Sequence, residues 1–166
     1  MEYTFKASRG MTIQIITIGV IILFVFIGYK SILGIITSNG DLRTILLHSS
    51  ILVLLFGTLL FCYLFAPQKY SIKGNEFIIH RPIFDKYFAI DSIKEIRQLD
   101  KSELKGMIRT FGVGGLFGSY GKFYNQTLGN VTMYATQNKN YIIIITGNQK
   151  LIITPDDLKI IQQIKN

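Results

Sequence analysis

The amino-acid sequence predicts a membrane-anchored α+β protein, in which a hairpin of two transmembrane helices precedes a mostly β domain closed by a C-terminal helix. Residues 10–68 carry only three charges, on Lys30, Asp41 and Arg43. The residues that follow have an ordinary soluble composition and alternate between apolar and polar side chains, as strands do. Because of its first part, the whole chain is only 17% charged, against about 25% in a typical soluble domain.

Two apolar segments, residues 12–36 and 46–66, are the predicted transmembrane helices. Residues 12–29 are eighteen residues without a charge, a helix of roughly 27 Å, and the apolar character resumes beyond Lys30. Residues 46–66 are twenty-one residues without a charge, or roughly 31 Å of helix. Pro67 follows and ends this helix.

Each segment has an alternative interpretation. Lys6 and Arg9 resemble the basic region of a signal peptide, but the first apolar stretch is longer than usual and no small-residue cleavage site follows. The second segment resembles a buried core helix of a soluble protein. Its apolar side chains lie on every face, however, which favours a membrane span.

The connection between the helices, residues 37–45, predicts a hairpin with both termini on one side of the membrane. Its centre reads SNGD, a strong turn signal. Positively charged residues flank the hairpin on the side of the termini, in the tail formed by residues 1–11 and just after Pro67. Following the positive-inside rule, we expect both termini and the domain in the cytoplasm, at a cell membrane.

The domain, residues 68–166, contains seven predicted short strands. They cover residues 70–73, 77–80, 86–90, 93–99, 131–136, 141–146 and 151–154. Turn residues separate the first two and the last three strands, and residues 93–99 fit either a strand or a short helical turn. The C-terminal helix is predicted to begin with Thr154 as its N-cap and Pro155 as its first residue, with an apolar stripe that ends at Ile164.

A glycine-rich segment, residues 111–125, interrupts the strand pattern with the sequence FGVGGLFGSYGKFYN. It does not fit a phosphate-binding P-loop, since Leu116 replaces the first glycine and Phe123 the serine or threonine. Two interpretations remain open. Its glycines form bends and bulges in a sheet whose core takes the aromatic rings, or it is a loop whose rings enter the membrane interface.

Catalytic and metal sites are not evident in the sequence. Cys62 is the single cysteine and lies in an apolar segment, and no Ser/His/Asp or Cys/His arrangement is recognisable around His48 or His80. We therefore expect no enzyme activity, cofactor or metal. From Gln68 onward, 14 Lys and Arg face 8 Asp and Glu, an excess that suits a surface near anionic lipid or one that is simply solvated.

Several stretches of the domain resemble a bacterial pleckstrin-homology-like family. They read RTFGVGGLFG at 109–118, LG at 128–129, MYAT at 133–136 and IITPDD at 152–157. The resemblance implies a strongly bent seven-stranded barrel or sandwich capped by the C-terminal helix, commonly fused to transmembrane helices. It implies no ligand. Eukaryotic relatives bind phosphoinositides with basic residues near the first hairpin, but the spacing of Lys69, Lys73 and Arg81 around that hairpin does not predict such binding.

These observations predict a non-enzymatic binding or scaffolding module whose ligand the sequence leaves open. The alternatives are a module for anionic lipid headgroups and a small subunit of an oligomeric transport complex. Expected partners are membrane lipid and either a partner protein or further copies of the chain, with neither nucleic acid nor a small-molecule substrate. The residues expected to face the membrane or a ligand are Lys69, Lys73, Arg81, Arg109, Phe117, Tyr120 and Lys122.

Overall fold

The computed structural model describes residues 2–147 and 149–165, which form a helical hairpin, two β-sheets and a short C-terminal helix. The helices are α1 (Met11–Ile36), α2 (Leu42–Phe65) and α3 (Ile160–Lys165). The strands are β1 (Glu2–Lys6), β2 (Lys69–Lys73), β3 (Glu76–His80), β4 (Lys86–Ala89), β5 (Ile93–Gln98), β6 (Ile108–Gly114), β7 (Ser119–Asn125), β8 (Gly129–Ala135), β9 (Ile142–Thr146) and β10 (Lys150–Ile153). The predicted fold class is confirmed, and the described residues form the seven expected strands together with β1, β6 and β7.

The two helices of the hairpin are long and apolar enough to span a membrane. Helix α2 begins four residues before the predicted segment because the Asp41 side chain caps it, accepting hydrogen bonds from the Thr44 N–H (3.1 Å) and hydroxyl (2.6 Å). Few side chains of either helix are buried. Apolar surface therefore faces outward along both helices, unlike that of a core helix in a soluble protein.

Strand β1 makes the helical hairpin an insertion within a sheet. The first sheet has the order β1-β2-β3-β4. All five residues of β1 pair antiparallel with β2, so that Lys6 lies opposite Lys69 and Glu2 lies opposite Lys73. The hairpin is thus the connection between two adjacent strands. The sequence predicts residues 1–11 only as a tail, although Tyr3 and Phe5 alternate with polar residues there.

The second sheet has six strands in the order β5-β9-β10-β8-β7-β6. Strand β10 pairs parallel with β8 and antiparallel with β9. Residues 93–98 form a strand, which decides between the two interpretations of that segment. The two sheets and α3 share one core, built from fully buried side chains that include Tyr70, Phe77, Ile144, Leu151 and Ile160.

The predicted start of the C-terminal helix is wrong. Helix α3 begins at Ile160 rather than at Pro155. The Thr154 hydroxyl, expected to cap the helix, instead accepts a 2.9 Å hydrogen bond from the Thr136 N–H. The Asp156 carboxylate accepts a 2.5 Å bond from the Ser8 hydroxyl, near the start of the chain. Long-range partners therefore satisfy the groups that a local rule assigns to a helix cap.

Candidate functional site

The turn between β6 and β7 places the glycine-rich segment against the start of α1 and the end of α2. These two helix ends are called the helix feet below. The Phe117 N–H donates a 3.0 Å hydrogen bond to the Thr17 hydroxyl of α1. The Phe117 ring packs edge-on against Tyr63 of α2, with 5.7 Å between the ring centroids. This turn is thus a joint between the sheet domain and both helices.

Glycines at two facing positions allow β6 and β7 to approach each other closely. Gly112 lies opposite Gly121, and both have positive φ, at 117° and 120°. A Cβ atom on Gly121 would overlap the Phe111 carbonyl oxygen, and one on Gly112 would overlap that of Tyr120. Only glycine fits such positions without displacing the backbone. The segment therefore forms the β6–β7 hairpin at the edge of the six-stranded sheet, called the ribbon below, with a register shift between Arg109 and Phe111.

Tyr120 forms the second polar link between the ribbon and the helices. Its side chain is 5% exposed, and its hydroxyl donates a hydrogen bond to the Cys62 carbonyl near the end of α2. Burial raises the pKa of Tyr120, so the hydroxyl keeps its proton and remains a donor. Phe117 and Tyr120, two of the residues expected to face the membrane or a ligand, thus contact the helices.

The basic residues around the first hairpin of the domain lie at different ends of it. Lys69 begins β2, beside Lys6 and close to the end of α2. Lys73 ends β2 at the far end of the hairpin from the helices, and it pairs with Glu2 on one side and Glu76 on the other. The helix feet therefore have the more positive surroundings, while two carboxylates neighbour Lys73.

Arg81 lies with Lys69 on the helix side of the domain. Its guanidinium stacks over the Phe65 ring of α2, 5.5 Å from the centroid, and its Nε donates a 2.6 Å hydrogen bond to the Phe84 carbonyl. Arg109 and Lys122 are exposed on β6 and β7, in the other sheet. The seven candidate residues thus occupy separate surfaces rather than one pocket.

Three residues form a hydrogen-bonded chain that was not predicted from the sequence. The Ser71 hydroxyl oxygen lies 2.7 Å from Nε2 of His80, and Nδ1 of His80 lies 2.7 Å from the Asp85 carboxylate. The order matches a Ser-His-Asp triad. Ser71 is 0% exposed, however, so a substrate has no access to its hydroxyl. The predicted β2–β3 hairpin could have indicated the Ser71–His80 contact, since these two residues are diagonal neighbours in its register.

Strand β6 is the most exposed part of the second sheet. It is a terminal strand of the sheet, with β7 as its partner. Ile108 is 58% exposed and Phe111 74% exposed. Proteins usually blunt such an edge with charge or cover it, because its free N–H and C=O groups can pair with another chain. Here the charge of Arg109 and the register shift beside it are the local features that oppose pairing with another chain.

His48 lies inside the helical hairpin, where its ring packs against Gly34 of α1. Its Nδ1 is buried and has no hydrogen-bond partner in the part of the chain that the structure describes. The ring fills the space left by a glycine of its own hairpin.

Comparison with known proteins identifies the sheet domain. The family described as the bacterial PH domain has a model that matches residues 68–165, more than half of the chain. No curated protein and no solved structure matches the chain. The matched region begins just before β2 and ends with α3, so it leaves out β1 and the helical hairpin. The chain belongs to the bacterial PH domain family.

Proposed function

We propose that this protein is a membrane-anchored scaffold whose PH domain binds an extended segment of a partner protein without catalysing a reaction. Helices α1 and α2 span the membrane in this proposal, and the domain lies on the cytoplasmic side. The basic residues Lys6, Arg9 and Lys69 near the helix feet support this orientation.

The single observation that carries the proposal is the exposed edge of β6. Seven residues of edge strand, roughly 23 Å in length, offer backbone groups for pairing. Strand addition at such an edge is a recurrent mode of peptide recognition, in which backbone hydrogen bonds supply affinity and side chains supply specificity. Ile108 and Phe111 offer apolar contacts, while Arg109 and Lys122 favour acidic side chains in the partner.

The way the domain is attached supports a scaffolding role. Two covalent connections, one on each side of the hairpin, join the sheet to the helices. The Phe117 and Tyr120 contacts fix the domain further. A domain held at four points presents β6 in one orientation, which lowers the orientational cost of binding a partner at the same membrane.

Photocrosslinking tests this proposal. A photoreactive phenylalanine analogue at position 111 of the full-length protein, in its native membrane, is expected to form a covalent adduct with one protein. Adding Ile108→Lys to the same chain should strongly reduce the adduct, because a charge on the edge opposes strand pairing.

Tyr87→Lys is the matched control, since Tyr87 is an exposed apolar residue of β4, an edge strand of the other sheet. It should leave the adduct from position 111 unchanged. An adduct that survives Ile108→Lys, or that Tyr87→Lys removes equally, would refute binding at the β6 edge.

Anionic lipid headgroups are a second candidate ligand, favoured by one specific observation. Arg9 stacks over Phe117 at 5.1 Å and Arg81 stacks over Phe65 at 5.5 Å, so two guanidinium groups lie at the helix feet. Native mass spectrometry of lipids retained by the detergent-solubilised protein tests this role. Arg9→Gln with Arg81→Gln should lose bound anionic lipid, whereas Lys101→Gln, on an exposed turn of the domain, should not.

A further inference from the structure

We infer that the loop between β3 and β4, residues 81–85, inserts its apolar tip into the interface of the lipid bilayer beside the end of α2. This inference rests on the membrane anchoring proposed above. It adds a third membrane contact, made by the PH domain itself.

The position of the loop is the first argument. The Ile83 N–H donates a 3.3 Å hydrogen bond to the Leu64 carbonyl, in the last turn of α2. That carbonyl has no partner within the helix, and the loop supplies one. Helix α2 has 24 residues, or roughly 36 Å, against a hydrocarbon core of about 30 Å. Its last turn, and the loop bonded to it, therefore lie at the level of the interface.

The exposure of the loop tip is the second argument. Ile83 is 39% exposed, Phe84 is 65% exposed, and Pro82 between Arg81 and Ile83 is also exposed. Three consecutive apolar residues at the tip of a loop are costly in water, and each is suited to the boundary between headgroups and acyl chains. Phe61 and Tyr63 are also exposed at the end of α2, which extends the aromatic surface at this level.

The third argument is that the loop is held in shape. The Asp85 carboxylate accepts a 3.1 Å hydrogen bond from the Arg81 N–H and lies 2.7 Å from the His80 ring. The Arg81 side chain bonds back to the Phe84 carbonyl. The Ser71–His80–Asp85 chain thereby gains a role, because it braces the base of the loop. A braced loop loses little entropy when it enters the bilayer.

The bilayer is a better occupant for this surface than a protein, because the chain itself brings the loop to the membrane. The Arg81 guanidinium, stacked over Phe65, lies beside the tip, where a lipid phosphate would be. Basic and aromatic side chains flanking an apolar tip are the composition expected of an interfacial segment.

Single-tryptophan fluorescence tests the inference, since the natural chain contains no tryptophan. The full-length protein is reconstituted into phosphatidylcholine–phosphatidylglycerol vesicles with or without brominated acyl chains. Phe84→Trp reports on the loop. Phe56→Trp, exposed in the middle of α2, reports on the anchor, and Tyr124→Trp, at the end of β7 remote from the turn at Phe117, reports on the domain surface.

We expect brominated lipid to quench Phe84→Trp by at least half as much as it quenches Phe56→Trp. We expect it to leave Tyr124→Trp bright and accessible to aqueous acrylamide. If Phe56→Trp is quenched but Phe84→Trp behaves like Tyr124→Trp, the loop inference is wrong and the anchoring stands. If Phe56→Trp is not quenched, the anchoring itself fails. A Phe84→Trp variant shielded from acrylamide but not quenched by brominated lipid would mean that protein covers the loop, which also overturns the inference.

Discussion

Removal of the Tyr70 hydroxyl should weaken the link between the two sheets and lower the free energy of unfolding. Tyr70 is fully buried, its hydroxyl donates a 2.5 Å hydrogen bond to the Tyr134 carbonyl, and it accepts a 3.3 Å bond from the Thr154 N–H. Tyr70→Phe keeps the ring but leaves both backbone groups without this partner. An unsatisfied buried group costs about 1–3 kcal/mol. Because the second bond is long, we expect a loss of about 2 kcal/mol in the free energy of unfolding, chiefly from the Tyr134 carbonyl.

Thermal unfolding of the full-length protein in detergent, followed by the circular dichroism of the sheets, measures this loss. For a domain of about a hundred residues, 2 kcal/mol corresponds to a decrease in Tm of about 8–16 °C. Tyr141→Phe is the matched control, because the hydrogen bond that its hydroxyl makes among the described residues is an exposed 3.4 Å contact with Asn138. If the two variants melt together, the hydroxyl of Tyr70 does not link the sheets.

The same residue predicts a dependence on alkaline pH. Burial raises the pKa of Tyr70 above its ordinary value. A group whose pKa is raised in the folded state contributes stability below its unfolded pKa, about 10 for tyrosine, and this contribution is lost as the pH rises further. The wild-type domain should therefore lose stability above about pH 10, and Tyr70→Phe should show a shallower loss. Equal alkaline slopes would contradict this assignment.

Two further predictions concern the ribbon and an ion pair. Gly121→Ala should destabilise the domain by at least 2–3 kcal/mol, roughly the cost of a strained backbone position plus the overlap with Phe111. Gly74→Ala, at a positive φ with open space around it, should cost only about 1–2 kcal/mol in the same chemical denaturation assay. Glu103 accepts two 2.8 Å hydrogen bonds from Arg97, which lower its pKa to about 2. Glu103 should stabilise the domain above its ordinary pKa, and this effect should disappear as the pH falls toward 2. Glu103→Gln should therefore flatten the acid limb of the stability profile. An unchanged acid limb would exclude the Arg97–Glu103 pair as the cause of acid destabilisation. Because Arg97 is half exposed, the cost of this variant at neutral pH should not exceed about 1 kcal/mol.

The helical hairpin and most strands were predictable because their signals are local. A long uncharged run, a turn at Asn39-Gly40 and the proline after α2 define the hairpin from neighbouring residues. The strands follow in the same way from alternation and turn residues. The family resemblance then supplied the bent barrel or sandwich arrangement of the strands, which local signals leave open.

The parts that were not predicted depend on long-range partners. Strand β1 exists because β2, more than sixty residues later, offers it an edge. Helix α3 starts late because Ser8 and Thr136 take the groups of Asp156 and Thr154. The sequence does not decide between the two interpretations of the glycine-rich segment, because its contacts with the helices involve residues far away in the sequence.

The insertion of the anchor between two paired strands has a consequence for binding. A domain tethered by one flexible linker samples many orientations and must lose that freedom when it binds a partner or a membrane. Here β1 precedes α1 and β2 follows α2, and the two strands pair along their whole length, so two adjacent connections join the sheet to the helices. Rotation of the sheet would also have to break the hydrogen bonds that Phe117 and Tyr120 donate to Thr17 and Cys62. The entropy cost of orientation is met when the protein folds rather than when it binds. In the roles proposed above, the β6 edge and the β3–β4 loop would act at fixed positions relative to the helices, and contacts too weak to orient a free domain would suffice at both surfaces.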